Sequence, residues 1–306
     1  MGVLKLASAE GRVRSVRNSD HGGQVGSLGY DANSSRRGSD RPRCFRDDRH
    51  SVQSTRAVHF GGGRVRDATS TSVVLPRHWR HPRGRRCGYA PSPTAGPFDF
   101  ASLTSDVLAL IDRWSPGRAI ELVGHDWGAL MTHDACATAP DRIRRAVALA
   151  VPHPLTFLTR PNLAQLRRSW YMGFFQLPGS GVMATARDLA LIDRLWRQWS
   201  PNLLLDPALR ADLHEHLHAS MPAPMRYYRA MLRPRILGAT RRLSQPITVP
   251  MLQLHGADDG CFLPPRVDDR HRFSAPRARE VVPDVGHFLH IEAPKAIAEG
   301  TEAWAQ

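Results

Sequence analysis

The stretch AIELVGHDWGALMTHDACATAPDRIRRAVALAVPHP, residues 119–154, decides the fold because it sets one aspartate between a strand pattern and a helix pattern. Residues 120–123 form a short apolar run that predicts a buried strand, and residues 129–138 predict a helix. Asp126, in Gly-His-Asp-Trp-Gly, therefore falls on the sharp turn between them. The flanking glycines permit close strand–helix packing, and a helix N-terminus favours negative charge. The pattern is typical of a nucleophile elbow with aspartate in the reactive position, with an ordinary helix N-cap as the alternative.

Length and composition predict a globular α/β protein. The chain has 306 residues, of which 42% are hydrophobic, enough to bury one large core. No stretch reaches membrane-spanning length, and the apolar run after Met1 is too short for a secretory leader. We therefore expect a cytoplasmic protein with no membrane partner, and the oligomeric state stays open.

The cysteines predict neither a disulfide framework nor a zinc site. Cys44, Cys87, Cys136 and Cys261 are far apart and form no Cys-x-x-Cys motif. They are interpreted as free thiols.

The net charge of +14 is concentrated in one segment. Residues 1–90 hold 18 Lys and Arg against 7 Asp and Glu, whereas residues 91–306 hold 24 against 21. Apart from residues 72–75, the basic segment has no helix or strand periodicity, so residues 1–87 are predicted to be irregular. Lysines and interleaved aromatic residues are nearly absent from it, so we expect no nucleic-acid partner.

Periodic structure begins after a proline-rich loop at residues 91–97. Residues 98–114 predict an amphipathic helix that ends before Pro116 and Gly117. Residues 143–151 predict a strand that is apolar on both faces, as in a parallel sheet covered by helices.

The second half of the chain predicts an insertion in this sheet domain. Residues 155–243 lack strand patterning and predict helices separated by prolines and glycines. Strand patterns return at residues 249–255 and 279–282, and a last helix follows Pro294. The sequence thus predicts an α/β core made of residues 88–154 and 244–306, interrupted by a helical cap.

Three motifs follow one another in a fixed order. They are Gly-His-Asp126-Trp-Gly, then Gly-Ala-Asp-Asp259 with Pro264 five residues later, then Asp-Val-Gly-His287-Phe. This order of nucleophile, acid and histidine resembles that of α/β-hydrolase fold enzymes, and most closely the soluble epoxide hydrolase branch. The resemblance implies an α/β-hydrolase fold with a mostly parallel sheet, an inserted helical cap and no cofactor.

Two cap segments extend the resemblance. Ser-Trp-Tyr171-Met-Gly-Phe-Phe-Gln-Leu-Pro-Gly and Arg-Tyr-Tyr228-Arg-Ala-Met are similar to the two tyrosine-bearing segments of that branch. Together with the three core motifs, the resemblance covers residues 88–305.

The motif residues suggest a two-step reaction on a small apolar epoxide, with water as the second substrate. Asp126 would attack an epoxide carbon and form an alkyl ester on the enzyme. His287 would then activate the water that hydrolyses the ester to a diol, with Asp259 orienting its imidazole. Asp258 is the alternative acid, although the family spacing favours Asp259.

Opening an epoxide produces a basic alkoxide, which an acid of high pKa can protonate. Tyrosine has a pKa of about 10 and suits this role. The resemblance implies Tyr171 and Tyr228 as the donors, with Tyr227 as the alternative to Tyr228 and ordinary cap packing as the other interpretation. The backbone N–H of Trp127 is expected to donate to the oxyanion.

Two other functions remain open at this point. A haloalkane dehalogenase would use the same Asp126 attack, with the Trp127 indole as a halide donor. A nonenzymatic basic protein is the third hypothesis.

Other histidines and glycines predict no further site. His214, His216 and His218 alternate along a predicted helix, so we expect them to face different directions and to bind no metal. His125, His133 and His153 are interpreted as structural, and the glycines of residues 61–63 lack the Lys and Ser/Thr of a phosphate-binding loop.

The N-terminal part departs from the family pattern. The branch carries a strand ending in His-Gly-x-Pro, which supplies the second oxyanion donor, and another ending near Asp-x-Arg-Gly. Neither is complete here, although residues 86–89 fit the tail of the second. We therefore predict that the N-terminal strands are missing or scrambled, and that residues 1–87 are largely an out-of-frame or misassigned translation. The strand before Asp126 would then have an open apolar edge, and the activity of this chain would be doubtful.

Overall fold

The computed structural model describes residues 4–7, 89, 94–159, 163–233, 236–265 and 268–305. Most of the segment predicted to be irregular, including residues 72–75, lies outside this part, as do Cys44, Cys87 and the glycines of residues 61–63. The strands are β1 (Leu4–Ala7), β2 (Ile120–His125), β3 (Ile143–Leu149), β4 (Met251–Gly256) and β5 (Arg277–Val282). The helices are α1 (Phe100–Trp114), α2 (Trp127–Thr138), α3 (Pro154–Thr159), α4 (Leu163–Arg168), α5 (Trp170–Phe174), α6 (Ser180–Trp199), α7 (Pro207–Ser220), α8 (Met225–Met231), α9 (Ile236–Leu243), α10 (Leu289–Glu292) and α11 (Pro294–Ala305).

The described strands form one sheet in the order β1-β2-β3-β4-β5. β2 to β5 run parallel, and β1 is antiparallel to β2. β4 is buried along its whole length, and β3 from Ala146 to Leu149, because helices cover both faces of the sheet. The predicted α/β class with a mostly parallel sheet is confirmed.

The edge of β2 is not open, contrary to our prediction. β1 pairs with it from Leu4 opposite Gly124 to Ala7 opposite Glu121. An edge strand presents unpaired N–H and C=O groups that an extended segment can satisfy, whatever its side chains. Whether strands of the family are missing from the N-terminal part stays a prediction.

The helical layer beside β2 reflects the predicted amphipathic pattern. Asp99 caps α1 by accepting the backbone N–H of Ser102 at 3.2 Å, and one face of the helix buries Leu103, Val107 and Ile111. α2 is buried from Trp127 to Cys136, since it lies between the sheet and α1. Among the described helices, none combines the length and the apolar character that crossing a membrane requires.

The region between β3 and β4 is helical, as its sequence indicates, and runs from α3 to α9. α9 packs on α1, α2 and α3, and so lies with the helices of the sheet domain although its residues fall in the predicted cap. The division into core and cap remains a prediction.

A buried ion pair joins these core helices. Asp134 on α2 is fully buried and accepts two hydrogen bonds from Arg242 Nη2 on α9, at 2.9 and 2.8 Å. Thr104 on α1 donates a further bond at 2.7 Å. Three helices that are far apart in sequence thus meet at one carboxylate, whose charge would be costly without these partners.

We predict that Arg242→Met lowers the free energy of unfolding by about 3 kcal/mol, because it leaves the Asp134 carboxylate buried without a cation. Urea denaturation measures the change. Arg241→Met, at the exposed neighbouring position, is the control and should change stability by less than about 0.5 kcal/mol. Equal losses in the two variants would contradict the assignment.

Candidate active site

Asp126 occupies a strained turn between β2 and α2. Its φ of 53° and ψ of −117° are rare for a residue with a side chain and cost about 1–3 kcal/mol. The neighbouring backbone is closely packed: a Cβ on Gly124 would lie 2.2 Å from the carbonyl oxygen of Gly128 and 2.4 Å from Thr132 Oγ1. Only glycine fits at that position, as the elbow pattern suggested.

His287 lies between two carboxylates. Its Nε2 is 3.7 Å from Asp126 Oδ1, and its Nδ1 is 3.0 Å from Asp259 Oδ2. The imidazole is fully buried, and Asp126 is only 8% exposed. Asp126 therefore forms one line with a histidine and an acid that lie more than 130 positions further along the chain.

The loop after β4 holds Asp259 in place. Its Oδ1 accepts the backbone N–H groups of Cys261 at 2.7 Å and Phe262 at 2.8 Å, which leaves Oδ2 for His287. Asp258 is exposed and bonded to Asn202 at 2.8 Å, so it does not contact the histidine. The two adjacent aspartates thus have entirely different surroundings.

Charge pairing outweighs burial at His287. Burial alone disfavours the imidazolium, but Asp259 and Asp126 together raise the pKa of His287 to about 9. Burial likewise opposes ionisation of Asp126, yet its interaction with the nearby His287 imidazolium holds the pKa of this carboxyl well below its usual range. At neutral pH the two residues form an ion pair.

Two neutral histidines pack against this ion pair. Burial is the main cause that lowers the pKa of His125 far below its usual value, and burial also lowers the pKa of His290 to about 3. The neutral His125 can donate from Nε2 to the carbonyl oxygen of His287 at 2.8 Å. Its ring packs between those of His287 and His290, at 4.9 and 4.7 Å.

Sequence reasoning missed the residues that fix the histidine loop. Glu292 accepts the backbone N–H groups of Gly286 at 2.8 Å and Phe288 at 3.0 Å. Ser200 donates to Glu292 at 2.6 Å, and the carbonyl oxygen of Trp199 accepts the N–H of His287 at 3.0 Å. No motif marks these contacts, and those of Ser200 and Trp199 join positions about 90 residues apart.

A glutamine of α4 also binds the loop that carries Asp259 and was not predicted. Gln165 on α4 donates to the carbonyl oxygen of Cys261 and accepts the N–H of Leu263, both at 2.8 Å. Cys261 is a buried free thiol, as the sequence suggested, and so is Cys136.

Tyr171 on α5 and Tyr228 on α8 come together. Their rings are 5.7 Å apart and nearly perpendicular, and the Tyr171 hydroxyl lies 3.2 Å from Cys261 Sγ. Burial is the main cause that raises the pKa of both tyrosines well above the usual value, and the negative charge of Asp126 raises both further. Both phenols therefore lie within electrostatic reach of the Asp126 carboxylate.

Trp127 and Tyr227 form the wall beside this pair. The Trp127 ring contacts those of Tyr227 and Tyr228, each at 5.2 Å, and a hydrogen bond with the Trp127 side chain lowers the pKa of Tyr228. Tyr227 is buried and packs on Phe98 at 5.5 Å. The structure thus distinguishes the two neighbouring tyrosines: the Tyr228 ring packs on that of Tyr171, and the Tyr227 ring packs on those of Tyr89 and Phe98.

Our argument about the α7 histidines was wrong. His214 and His218 are four positions apart and share one helix face, where both contact Asp188 at 3.2 and 3.0 Å. His216 lies elsewhere and stacks on Tyr89 at 5.8 Å. His216, two positions from each neighbour, faces another direction, whereas His214 and His218 lie side by side.

The ion pair predicts how His287 titrates. In the full chain the pKa of His287 should be about 9, and in Asp126→Asn it should fall by about 1 to 3 pH units, because one carboxylate partner is lost. Histidine NMR titration measures both values. Asp258→Asn is the control and should leave the titration unchanged; an equal pKa in all three proteins would contradict the pairing.

The raised pKa of His287 also makes the stability of the folded protein depend on pH. The folded-state pKa lies above the value of 6.5 for an unperturbed histidine, so the folded protein holds this proton more tightly. The resulting stabilisation is complete below about pH 6.5 and is lost as the pH rises through about 9. Asp126→Asn should reduce this loss.

Comparison with known proteins gives related sequences. Residues 85–294 match the family described as alpha/beta hydrolase fold. An AB hydrolase superfamily protein of Bacillus subtilis is 25% identical over 207 residues, 64% of this chain and 68% of that protein. Epoxide hydrolase 3 of Xenopus tropicalis is 25% identical over 208 residues, 64% of this chain and 54% of that protein. The chain spans about half the length of the curated epoxide hydrolases of Xenopus tropicalis and Caenorhabditis elegans, 54% and 51%.

Solved structures share the fold. The epoxide hydrolase of Bacillus megaterium in complex with an inhibitor has a TM-score of 0.61 and 19% identity, covering 72% of this chain and 81% of that one. An epoxide hydrolase of Vigna radiata has a TM-score of 0.58 and 20% identity, covering 72% and 80%. Since the family match extends over more than half of its length, the chain belongs to the α/β hydrolase fold family.

Proposed function

We propose that this chain is an epoxide hydrolase that acts through a covalent ester on Asp126. The observation that carries the proposal is a buried carboxylate at the elbow, 3.7 Å from the Nε2 of a histidine whose other nitrogen binds a second carboxylate. A carboxylate needs no base to attack carbon, whereas its ester needs activated water for hydrolysis. The similarity to epoxide hydrolases supports the same conclusion.

In the first step an Asp126 oxygen forms a bond to an epoxide carbon. The carbon–oxygen bond of the ring breaks, its electron pair goes to the epoxide oxygen, and this oxygen takes a proton from Tyr171 or Tyr228. Both phenols have pKa values raised by burial, so they are protonated at neutral pH and available as donors.

The second step follows from the change in charge. The ester removes the negative charge of Asp126, so His287 keeps only Asp259 as a carboxylate partner and its pKa falls. The imidazolium gives its proton to the tyrosinate left by the first step and becomes a base that takes a proton from water. The hydroxide adds to the ester carbonyl, and the bond between this carbonyl carbon and the substrate oxygen breaks. The leaving alkoxide takes the proton from His287 to give the diol, and the proton of the Asp126 carboxyl passes to His287, which restores the ion pair.

The packing of Tyr171 and Tyr228 against each other and of Tyr228 on Trp127 supports an epoxide over a haloalkane, because a phenol can protonate the alkoxide that an opened epoxide leaves. The backbone N–H of Trp127 is proposed as an oxyanion donor. With the second donor of the family not recognised in the sequence, turnover should be about 10² to 10³ times lower than with both.

We predict that His287→Gln accumulates an ester on the peptide containing Asp126, because attack remains possible while hydrolysis is lost. Intact-protein and peptide mass spectrometry after exposure to a reactive aryl epoxide detects the adduct. Asp126→Ala should form none, and the exposed-site control Asp258→Asn should turn over normally without accumulating the ester. Modification at another residue, or turnover by Asp126→Ala, would exclude this mechanism.

We also predict a specific effect of the two tyrosines. Tyr171→Phe and Tyr228→Phe should each lower kcat by about 10² or more, since each removes a proton donor to the alkoxide. Tyr227→Phe is the matched control and should stay within a few-fold of the parent rate. Single-turnover kinetics of ester formation measures the step directly; a loss in Tyr227→Phe as large as that in Tyr228→Phe would overturn the assignment.

A further inference from the structure

A second cluster of chemically competent side chains lies in the cap, between α6 and α7. His214 and His218 share one face of α7, and Asp188 of α6 lies opposite them. Asp188 Oδ2 is 3.2 Å from His214 Nδ1, and Asp188 Oδ1 is 3.0 Å from His218 Nε2. One ligand atom from each of the three residues lies within 4.8 Å of the other two. None of the three takes part in the proposed reaction.

The surroundings of His214 fix which nitrogen faces the cluster. His214 is buried, and its Nε2 lies 2.8 Å from Oδ1 of the buried Asp193. Asp193 Oδ2 in turn accepts a hydrogen bond from Arg210 Nε at 3.1 Å, which fixes the carboxylate. This arrangement is typical of a metal-binding histidine whose outer nitrogen donates to a carboxylate.

The cluster holds one carboxylate and two imidazoles, and Arg210 Nη2 lies 3.9 Å from Asp188 Oδ2. When His214 donates from Nε2 to Asp193, a neutral ring presents the lone pair of Nδ1 to the Asp188 carboxylate. Two acceptors at 3.2 Å repel each other unless a proton or a metal ion lies between them. A metal ion can satisfy Nδ1 and the carboxylate together, and His218 as well.

The backbone at Asp188 has an unfavourable conformation, which supports a specific role for this exposed residue. Arg187, Asp188 and Leu189 all have left-handed backbone angles, with φ of 51°, 52° and 60°. Such angles are unfavourable for residues with a side chain. The segment interrupts α6, buries Leu189 completely and brings Asp188 to the two histidines.

We propose that Asp188, His214 and His218 bind a divalent late transition-metal ion, with Zn²⁺ as the ion that this ligand set fits best. Two imidazole nitrogens and one carboxylate oxygen are common zinc ligands, whereas Ca²⁺ and Mg²⁺ prefer oxygen ligands only. Asp188 and His218 are exposed, so the ion enters from solvent and water completes its coordination. The ion would join the interrupted part of α6 to α7.

Cobalt and zinc titrations of the full chain test the proposal. Co²⁺ should bind at one site and produce visible absorption bands, and Zn²⁺ should displace it while Mg²⁺ should not. Zn²⁺ should also raise the thermal midpoint, since an ion that binds only the folded state stabilises it. His218→Ala and Asp188→Asn change exposed side chains and should abolish both effects.

Three further variants separate metal binding from a general structural role. Asp193→Asn should weaken Co²⁺ binding by about 10- to 100-fold, because it removes the partner of His214. His218→Cys keeps a zinc ligand at the same position and should retain binding, whereas His271→Ala removes an exposed histidine elsewhere and should change nothing. Far-UV circular dichroism establishes that each variant is folded.

Two outcomes would overturn the proposal. The first is a folded parent protein that binds neither Co²⁺ nor Zn²⁺ at neutral pH. The second is unchanged binding in folded His218→Ala and Asp188→Asn, which would assign the ion to other residues.

Discussion

The close contact between β2 and α2 is the constraint on which the candidate site depends. Gly124 brings the strand against the carbonyl oxygen of Gly128 with no room for a side chain. The chain must therefore turn within two residues, and Asp126 adopts a backbone conformation that costs free energy. Burial of nearly the whole of α2 offsets this cost, since the helix cannot move away from the sheet without exposing its apolar residues. A stable core thus holds an unfavourable turn in place.

The second requirement is to keep three ionisable groups charged in a buried place. Asp126, His287 and Asp259 have almost no contact with solvent, and isolated charges there would be neutralised. Each carboxylate has the imidazolium as a partner, and Asp259 has two backbone N–H groups in addition. Asp259 is consequently the carboxylate with more hydrogen-bond partners, while Asp126 is the carboxylate whose charge changes in the proposed reaction.

Short sequence patterns predicted the strands and the turn whose formation depends on neighbouring residues in the sequence. The apolar runs of β3 and β4 identify strands of a covered parallel sheet, and the glycines around Asp126 identify the turn. They could not predict β1, because pairing at a sheet edge uses backbone groups that carry no sequence signal. Nor could they predict the contacts of Trp199, Ser200 and Gln165, whose partners are remote in sequence. The α7 histidines could have been paired from the sequence, since their spacing of four is a helical repeat.

The carbonyl oxygen of Trp199 accepts the N–H groups of both Gly260 and His287, each at 3.0 Å. With the two hydrogen bonds of Gln165, it fastens α4 and the end of α6 to the loops that carry Asp259 and His287. Moving these helices away as a hinged lid would break these bonds and displace the imidazole. For the proposed reaction, entry and exit would then depend on rotating side chains and small shifts between helices, and the width of that passage, rather than reactivity at carbon, would limit how bulky a substrate can be.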